Sequence, residues 1–274
     1  MADQPRTVLT TGANSGIGLA TAIEVARRGF RSVGTVRSEE KGDVLAKAAA
    51  EAGVEVEPMM LDVTDADRCA EVVGGLDVYA LVNNAGYGVT GAVEDVGDDE
   101  ARQLLETMVV APMRLARLVL PGMRDRGEGR IVNVSSIAGR ATSPLAGWYA
   151  AAKHALEAVS DALRTEVAGA GVKVVLVEPG GFKTNIWEDF ERDVAKREGS
   201  PFMPAYERSF QGQQFLERFM GEPAQVAKVI ASVVEGRNPR ARYLVGIDAQ
   251  MMALTDQLTP TVIKDRVMRL VLGL

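Results

Sequence analysis

Residues 7–26 decide the fold and read Thr7-Val8-Leu9-Thr10-Thr11-Gly12-Ala13-Asn14-Ser15-Gly16-Ile17-Gly18-Leu19-Ala20-Thr21-Ala22-Ile23-Glu24-Val25-Ala26. A short β-type run passes through a glycine-rich turn into a helical segment. Glycines in this setting let the backbone approach a pyrophosphate, and the following helix presents free amide groups at its positive end. The stretch therefore predicts a dinucleotide-binding unit, the alternative being an ordinary glycine-rich strand-helix turn.

Strand-like and helix-like segments alternate along the rest of the chain. Short runs rich in Val, Ile or Leu predict strands near 7–11, 31–36, 54–61, 78–83, 129–135, 172–178 and 241–246. Helices are predicted near 16–28, 39–52, 65–74, 98–125, 145–169 and 223–236. This order predicts an α/β fold, a doubly wound (Rossmann) parallel sheet of about seven strands with helices on both faces. No linker interrupts it, so residues 1–274 are expected to form a single domain.

A tyrosine and a lysine are spaced for acid-base chemistry. Tyr149 and Lys153 lie four residues apart, and Ser136 lies thirteen residues before the tyrosine. Four residues are about one helical turn, so the phenol and the ammonium are expected on one helix face. A free tyrosine has a pKa of about 10, and a neighbouring ammonium lowers it. The pair therefore predicts a proton donor or acceptor near neutral pH, although the spacing alone also arises by chance.

Together these segments resemble the short-chain dehydrogenase/reductase family over nearly the whole chain. The resemblance is carried by residues 11–18, by Asp62-Val63 after the third strand, by Asn83-Asn84-Ala85-Gly86 after the fourth, by residues 131–136 on the fifth and by residues 179–184 after the sixth. It implies that Ser136 orients the substrate oxygen and that Tyr149 donates or accepts the proton. It also implies that Lys153 activates Tyr149 and contacts the nicotinamide ribose.

A cofactor site is expected at the carboxyl ends of the strands. By resemblance, Asp62 and Val63 line the adenine, Asn84 packs near the ribose and Thr184 meets the carboxamide. The expected set is Gly12, Asn14, Ser15, Gly16, Ile17, Gly18, Arg37, Asp62, Val63, Asn84, Ala85, Gly86, Tyr149, Lys153, Pro179, Gly180 and Thr184. Val36 stands where NAD-selective folds place an acid, and Arg37 follows it. A guanidinium pairs well with a 2′-phosphate, so NADP(H) is expected over NAD(H), the alternative being a solvated arginine.

One position departs from the family's pattern. Family members place an asparagine thirteen residues before the proline that closes the helix after the Asn-Asn-Ala-Gly strand, and counting back from Pro121 gives Met108. In the family that asparagine helps hold a water linking the lysine to solvent. A thioether is a weak acceptor with no donor and cannot reproduce this. Either other groups hold a water, or proton relay is slower, or the reaction has changed.

Residues 181–221 hold six of the seven phenylalanines. These are joined by other large side chains and by charges, which predicts an amphipathic helical lid; the residues are Phe182, Phe190, Phe202, Phe210, Phe215, Phe219, Trp187, Met203, Tyr206 and Met220. In the family this segment covers the substrate. Apolar walls favour a bulky apolar carbonyl or alcohol, such as a steroid- or retinoid-like molecule, with Tyr87, Leu145 and Trp148 opposite. The alternative is that the aromatic residues only pack the lid onto the domain.

The C-terminal tail, about residues 247–274, resembles the subgroup that contains steroid- and retinol-type dehydrogenases. Its last helix carries an apolar stripe with charges nearby, made of Val262, Ile263, Val267, Leu270, Val271 and Leu274. The stripe is expected to pack on its own domain or on a sister subunit, the alternative being a membrane-surface helix. The resemblance also implies a homodimer or homotetramer assembled through the helices near 98–125 and 145–169.

Composition excludes several other classes of protein. A net charge of −6 argues against non-specific nucleic-acid binding. Cys69 is the only cysteine and His154 the only histidine, which excludes an internal disulfide, a thiolate zinc site and a histidine-rich metal site. Residues 1–6 show no apolar secretion segment, and no run of about 18 apolar residues occurs. A cytoplasmic protein is expected, without metal and without membrane association.

These observations predict reversible hydride transfer between NADP(H) and a secondary alcohol or ketone, with Tyr149 as general acid and base. Two alternatives remain open. The first is a sensor or scaffold that binds the dinucleotide without turnover, and Met108 is its only support. The second is a lyase or isomerase that uses the same three side chains without net redox change.

Overall fold

The computed structural model describes residues 5–184 and 186–274, apart from the side chains of residues 186–188 and 215. The expectations for Trp187 and Phe215 as lid residues therefore lie outside the described part of the chain.

A parallel sheet of seven strands organises the described residues, in the order β3-β2-β1-β4-β5-β6-β7. The strands are β1 Thr7–Thr10, β2 Arg31–Val36, β3 Glu57–Met60, β4 Val78–Asn83, β5 Gly129–Val134, β6 Val172–Pro179 and β7 Arg242–Val245. The strand order reverses between β1 and β4, where the ligand crevice of a doubly wound sheet opens. The α/β prediction and its seven strands are confirmed.

Helices cover both faces of the sheet and extend beyond its last strand. They are α1 Gly16–Arg27, α2 Glu39–Glu51, α3 Ala66–Val73, α4 Asp98–Leu105, α5 Ala111–Arg126, α6 Gly147–Glu166, α7 Ile186–Ala195, α8 Met203–Glu217, α9 Pro223–Glu235, α10 Ile247–Leu258 and α11 Thr261–Leu272. The prediction of one helix over 98–125 is corrected, since a π-helical segment, Glu106–Val110, separates α4 from α5.

The core forms because consecutive strand residues point to opposite faces of the sheet. Leu9 and Ile131 pack with α3 and α5 on one face, whereas Val8 and Val132 pack with α1 and α9 on the other. Strands buried on both faces explain the continuous apolar runs that the sequence shows. Cys69 is fully buried in the first of these layers, where it packs as a small apolar side chain.

The apolar stripe of the C-terminal tail does not pack on its own domain, which was one of its two expected partners; packing on a sister subunit stays a prediction. Val262, Ile263, Val267, Leu270 and Val271 of α11 are between 50% and 84% exposed. Leu272 is the buried residue of this helix. None of the helices within the described ranges is long and apolar enough to cross a bilayer.

Candidate active site

The glycine turn after β1 is held by the segment that follows β4. The Thr11 Oγ1 atom accepts the backbone N–H groups of Asn84 and Ala85, both at 2.9 Å. In return, Asn84 Nδ2 donates to the Thr11 carbonyl at 2.9 Å. Gly12 has a φ of +65°, in the left-handed region that favours glycine. A Cβ on Gly18 would lie 2.2 Å from the Gly12 carbonyl oxygen, so that glycine permits close packing of helix on turn.

The N-terminus of α1 faces the cavity with its amide groups available. The N-cap residue Ser15 makes no side-chain capping bond, and no acidic residue lies in the first turn. Across the turn, a Cβ on Gly16 would lie 3.2 Å from Thr184 Cγ2, so Thr184 closes the cavity above this end of the helix. An electropositive helix end beneath a narrow cradle is suited to a pyrophosphate.

Ser136, Tyr149 and Lys153 meet at the carboxyl end of β5. Ser136 follows that strand directly, its Oγ accepts the backbone N–H of Ala138 at 3.1 Å, and the residue lines the cavity together with Tyr149. Lys153 lies one turn along α6, with Nζ 5.7 Å from the centre of the Tyr149 ring. The same Nζ donates to the Val134 carbonyl at 2.9 Å. The three side chains therefore line one cavity together with the glycine turn.

The acid-base properties of this group differ from the sequence expectation. Burial raises the pKa of Tyr149, and the Ser136 hydroxyl offsets this only in part. Burial also lowers the pKa of Lys153 to about 8, against the opposing charge of Glu157. The expectation that the neighbouring ammonium lowers the tyrosine pKa was wrong for this structure, because desolvation of the phenolate dominates and the lysine donates its hydrogen bond to a backbone carbonyl.

A buried ionic cluster lies behind Lys153. Glu157 follows Lys153 by one turn of α6 and pairs with Arg242 of β7 at 3.1 Å. Arg242 also pairs at 3.2 Å with Glu178, which is fully buried at the end of β6. The Glu178 carboxylate in turn accepts hydrogen bonds from Nε and Nη2 of Arg140, at 2.5 and 2.9 Å. The cluster joins the last strand to the candidate catalytic helix, and sequence reasoning missed it because its members are far apart in the chain.

Met108 lies in the π-helical segment and lines the cavity. It is 3% exposed and packs with Leu104 and Ala152. A Cβ on Gly86 would lie 2.7 Å from its Cε, so the methionine and the glycine fit against each other. A π segment is frequent at functional sites, and here it turns the Met108 side chain toward Tyr149 and its neighbours.

The far end of the cavity combines an acid with two cations. Asp62 accepts the backbone N–H and the hydroxyl of Thr64, at 2.9 and 2.7 Å. Burial raises the pKa of Asp62, but these bonds and the charge of Arg37 outweigh it and the pKa is lowered overall. Lys41 lines the cavity beside Arg37, and sequence reasoning missed it. Its position in the first turn of α2, two residues after that helix begins, was the available signal.

The cavity has a volume of about 780 Å³. Of the predicted site residues, those lining it are Gly12, Asn14, Ser15, Ile17, Arg37, Asp62, Val63, Asn84, Ala85, Gly86, Ser136, Tyr149, Lys153, Pro179, Gly180 and Thr184. Gly16 and Gly18 are not among its lining residues; Gly18 lies against the Gly12 carbonyl. Within the part of the chain that the structure describes, no three His, Cys, Asp or Glu side chains are grouped to ligate a metal ion.

The lid contributes fewer apolar groups to the cavity than the sequence suggested. Phe182 and Met220 line it, but Phe190 is buried and stacks on Phe210 at 5.4 Å between ring centres. The lining residues from α7 and from the position directly after it are charged instead, namely Asp189, Arg192, Asp193 and Lys196. The predicted opposite wall is also corrected, since Tyr87 lines the cavity whereas Leu145 and Trp148 do not. Leu145 instead packs beneath the lid against Tyr206.

Carboxylates fix α7 to the loop between β4 and α4. The buried Asp193 accepts the backbone N–H of Thr90 at 2.9 Å, and Asp189 accepts that of Gly88 at 3.3 Å. Glu100 of α4 pairs with Arg197 at 2.7 Å. The charged residues of the lid therefore hold it in place at the rim of the cavity.

Comparisons with known proteins show what this chain is similar to. The family model for short chain dehydrogenase matches residues 6–195. A 3-ketodihydrosphingosine reductase of Bacteroides thetaiotaomicron is 32% identical over 91% of each chain. An NADPH-dependent 3-dehydrocapnine reductase of Ornithobacterium rhinotracheale is 31% identical, over 96% of this chain and 95% of its own. The crystal structure of a short-chain dehydrogenase from Streptomyces avermitilis has a TM-score of 0.80 at 33% identity, over 97% of this chain and 96% of its own.

Proposed function

Because the chain belongs to the short-chain dehydrogenase/reductase family of oxidoreductases, we propose that it interconverts a secondary alcohol and a ketone with NADP(H). The observation that carries the proposal is that Ser136, Tyr149 and Lys153 line one cavity together with the glycine turn. A proton donor, a positioned hydroxyl and a dinucleotide cradle in one cavity are what carbonyl reduction requires.

The residues present fit a dinucleotide. The free amide groups of α1 suit the pyrophosphate, Asp62 and Val63 line the expected adenine position, and Thr184 faces the turn. When bound, NADP(H) supplies or accepts the hydride. Arg37 and Lys41 favour the phosphorylated cofactor, because two cations beside the end of β2 match a 2′-phosphate. The name of the relative from Ornithobacterium also specifies NADPH.

In this mechanism the chain's own residues position the substrate oxygen and move a proton. Ser136 and Tyr149 donate hydrogen bonds to that oxygen, and developing negative charge on it strengthens both bonds. In reduction Tyr149 gives up its phenolic proton to the oxygen, and in oxidation the tyrosine takes the proton back. Lys153, when protonated, stabilises the phenolate that remains. Most of the rate enhancement then comes from orientation and electrostatic stabilisation.

The proposed substrate is a bulky apolar carbonyl or alcohol that carries a polar group. Met108, Phe182 and Met220 supply the apolar part of the wall, while charges from the lid line its rim. The names of two relatives describe reductases of a 3-keto and a 3-dehydro compound. We expect 3-ketodihydrosphingosine to be reduced with a higher kcat/KM than a steroid ketone or retinal, which lack a charged group. The reverse order would contradict the polar part of this proposal.

Paired titrations with NADPH and NADH test the cofactor, followed through energy transfer from the protein to the bound nicotinamide. We expect tighter NADPH binding, and Arg37→Ala and Lys41→Ala should weaken NADPH far more than NADH. Arg27→Ala on the distant end of α1 is the control. Equal losses for both cofactors would contradict the 2′-phosphate assignment.

Turnover assays separate the two alternatives from the proposal. A sensor or scaffold would bind NADPH without reducing any ketone. A lyase or isomerase would form product without a net change in NADPH absorbance. Assembly as a homodimer or homotetramer through α4, α5 and α6, a single domain and a cytoplasmic location remain predictions.

A further inference from the structure

The loop that follows β6 forms one wall of the cavity. Residues 180–183 are called the β6 loop here, and Gly180, Gly181 and Phe182 of this loop line the cavity. Ser136 lines it from the end of the neighbouring strand β5. The backbone of the β6 loop therefore lies beside the candidate catalytic residues.

The segment that leaves the lid holds one side of the β6 loop. The Gly221 N–H donates to the Gly181 carbonyl, and the Lys183 N–H donates to the Gly221 carbonyl, both at 3.0 Å. Lys183 Nζ also pairs with Glu222 at 2.6 Å. These bonds use the carbonyl group of Gly181, so its N–H group needs another partner.

That partner comes from the C-terminal tail. Asp248, in the first turn of α10, accepts the Gly181 N–H through Oδ2 at 2.5 Å. A Cβ on Gly180 would lie 2.2 Å from the same oxygen. Gly246, which has a φ of +107° and joins β7 to α10, would place a Cβ 2.3 Å from Asp248 Oδ1. Two glycines therefore leave room for this carboxylate, although Asp248 as a whole residue is exposed.

An acidic residue in the first turn also interacts favourably with the dipole of its own helix. A residue that served only the dipole could point to solvent, and it would not need glycines at both 180 and 246. Asp256, the other acidic residue of α10, pairs with Lys264 at 2.7 Å within the tail. The two carboxylates of one helix therefore have different partners, and only Asp248 reaches a residue that lines the cavity.

We propose that Asp248 is a positioning residue, which holds the Gly181 backbone in place against a bound dinucleotide. This role rests on the proposed function, because it concerns the same cavity. Asp248 does not line the cavity itself and acts through the β6 loop. Thr184, the expected contact of the nicotinamide carboxamide, follows this loop directly. Loss of the bond should therefore disturb the reacting end of the cofactor and leave the 2′-phosphate site at Arg37 unaffected.

Amide hydrogen exchange tests the bond without cofactor or substrate. In Asp248→Ala the amide groups of the β6 loop should exchange faster than in the unaltered protein. Asp248→Asn keeps an oxygen that accepts the Gly181 N–H, so exchange in this variant should stay slow. The control is Asp256→Ala, which removes the same charge from the same helix and should leave exchange of the loop unchanged. Equal exchange in Asp248→Ala and in the unaltered protein would overturn the proposal.

Titrations with NADPH and NADH test the effect on the cofactor. In Asp248→Ala we expect the Kd of both to rise by about tenfold, because a hydrogen bond to a charged group is worth at least about that factor. The two values should rise equally, since the 2′-phosphate is not involved. For ketone reduction kcat should fall on the order of 10- to 100-fold, because small displacements of reacting groups cost this much. KM for the ketone should change little.

Asp248→Asn and Asp256→Ala should stay close to the unaltered protein in Kd and kcat. Unchanged values in Asp248→Ala, a loss restricted to NADPH, or an equal loss in Asp248→Asn would each overturn the proposal. If the unaltered chain bound neither dinucleotide, the proposed function would fail and this role of Asp248 with it. Hydrogen exchange would then still show whether Asp248 holds the β6 loop, so the two failures are distinguishable.

Discussion

Burial controls the charge of Lys153, and this gives a pH dependence. Its pKa is lowered to about 8, so the ammonium that supports Tyr149 is present below pH 8 and is lost above it. We expect log kcat/KM for ketone reduction to fall as the pH rises through about 8. In Lys153→Arg this limb should move to higher pH, because a guanidinium stays protonated. An identical profile in both proteins would show that another group titrates.

Met108 stands where family members place an asparagine, and substitution at this position tests what that difference does. Ser135 Oγ and Glu157 Oε1 are buried and find no hydrogen-bond partner of normal geometry among the described residues, so they offer polar atoms that could replace an asparagine. We expect Met108→Asn to leave turnover unchanged or to raise it. The buried amide should lower the free energy of unfolding by about 1–3 kcal/mol. Met108→Leu is the size-matched control.

A collapse of turnover in Met108→Asn with the fold intact would contradict the assignment of this position. The measurements are steady-state kinetics for turnover and urea denaturation for stability.

Individual site residues were predictable where one motif places them on one strand end or one helical turn. Ser136, Tyr149 and Lys153, predicted from their spacing, line the cavity, and so does Arg37, predicted from its position after the second strand. The pKa of Tyr149 was not predictable, because it depends on burial by residues from other elements. Lys41 was missed for a simpler reason, since its position in the first turn of α2 indicates a cofactor contact only once that helix is placed beside the cavity.

The docking of α7 is the feature at the scale of elements that controls the cavity rim. The carboxylate of Asp193 is 1% exposed and bonds to Thr90 N–H and Lys196. Asp193→Ala leaves the backbone N–H of Thr90 without this partner, which costs about 1–3 kcal/mol. We expect KM for the ketone to rise by roughly tenfold and proteolysis of the lid to accelerate, with NADPH affinity little changed. The control is Glu198→Ala, at an exposed position. An equal rise in KM in this control would show that the effect is not specific to the hydrogen bonds of Asp193.

Strands and helices were predicted well where the spacing of the apolar residues was clear. The prediction was poor for the lid, where the same apolar spacing fits packing on the domain and contact with a substrate. All seven strands were found within a few residues. The lid was expected to turn its phenylalanines toward the substrate, but Phe190 and Phe210 pack against each other while charges line the cavity. An amphipathic pattern shows that a helix has two faces and leaves undecided which of them meets a ligand.

At the scale of the whole molecule, Arg242 links the last strand to α6, the helix that carries Tyr149 and Lys153. It pairs with Glu157 and Asp161 of α6 and with Glu178 of β6. Removing it would leave buried carboxylates with fewer counter-charges, so Arg242→Ala should lower the free energy of unfolding by about 3 kcal/mol. Arg240→Ala, an exposed neighbour, should change it by less than about 0.5 kcal/mol. Urea denaturation at neutral pH measures both, and equal values would contradict the role of the cluster.

The fold as a whole was predictable because alternating strands and helices with buried strands admit few other arrangements. The orientation of the tail was not. Its apolar stripe was visible in the sequence, but only the placement of α10 and α11 shows that the stripe faces solvent. Long-range pairs such as Arg140 with Glu178 were likewise invisible, since charge pairing between distant positions leaves no periodic signal.

The measurement that tests the central claim most directly is NADPH oxidation by Tyr149→Phe beside the unaltered protein, with 3-ketodihydrosphingosine as the substrate and NADPH binding measured on both. Loss of the phenolic proton should lower turnover by about 10²- to 10⁴-fold while leaving the NADPH dissociation constant nearly unchanged. Turnover by Tyr149→Phe close to that of the unaltered protein would contradict the assignment of Tyr149 as the proton donor.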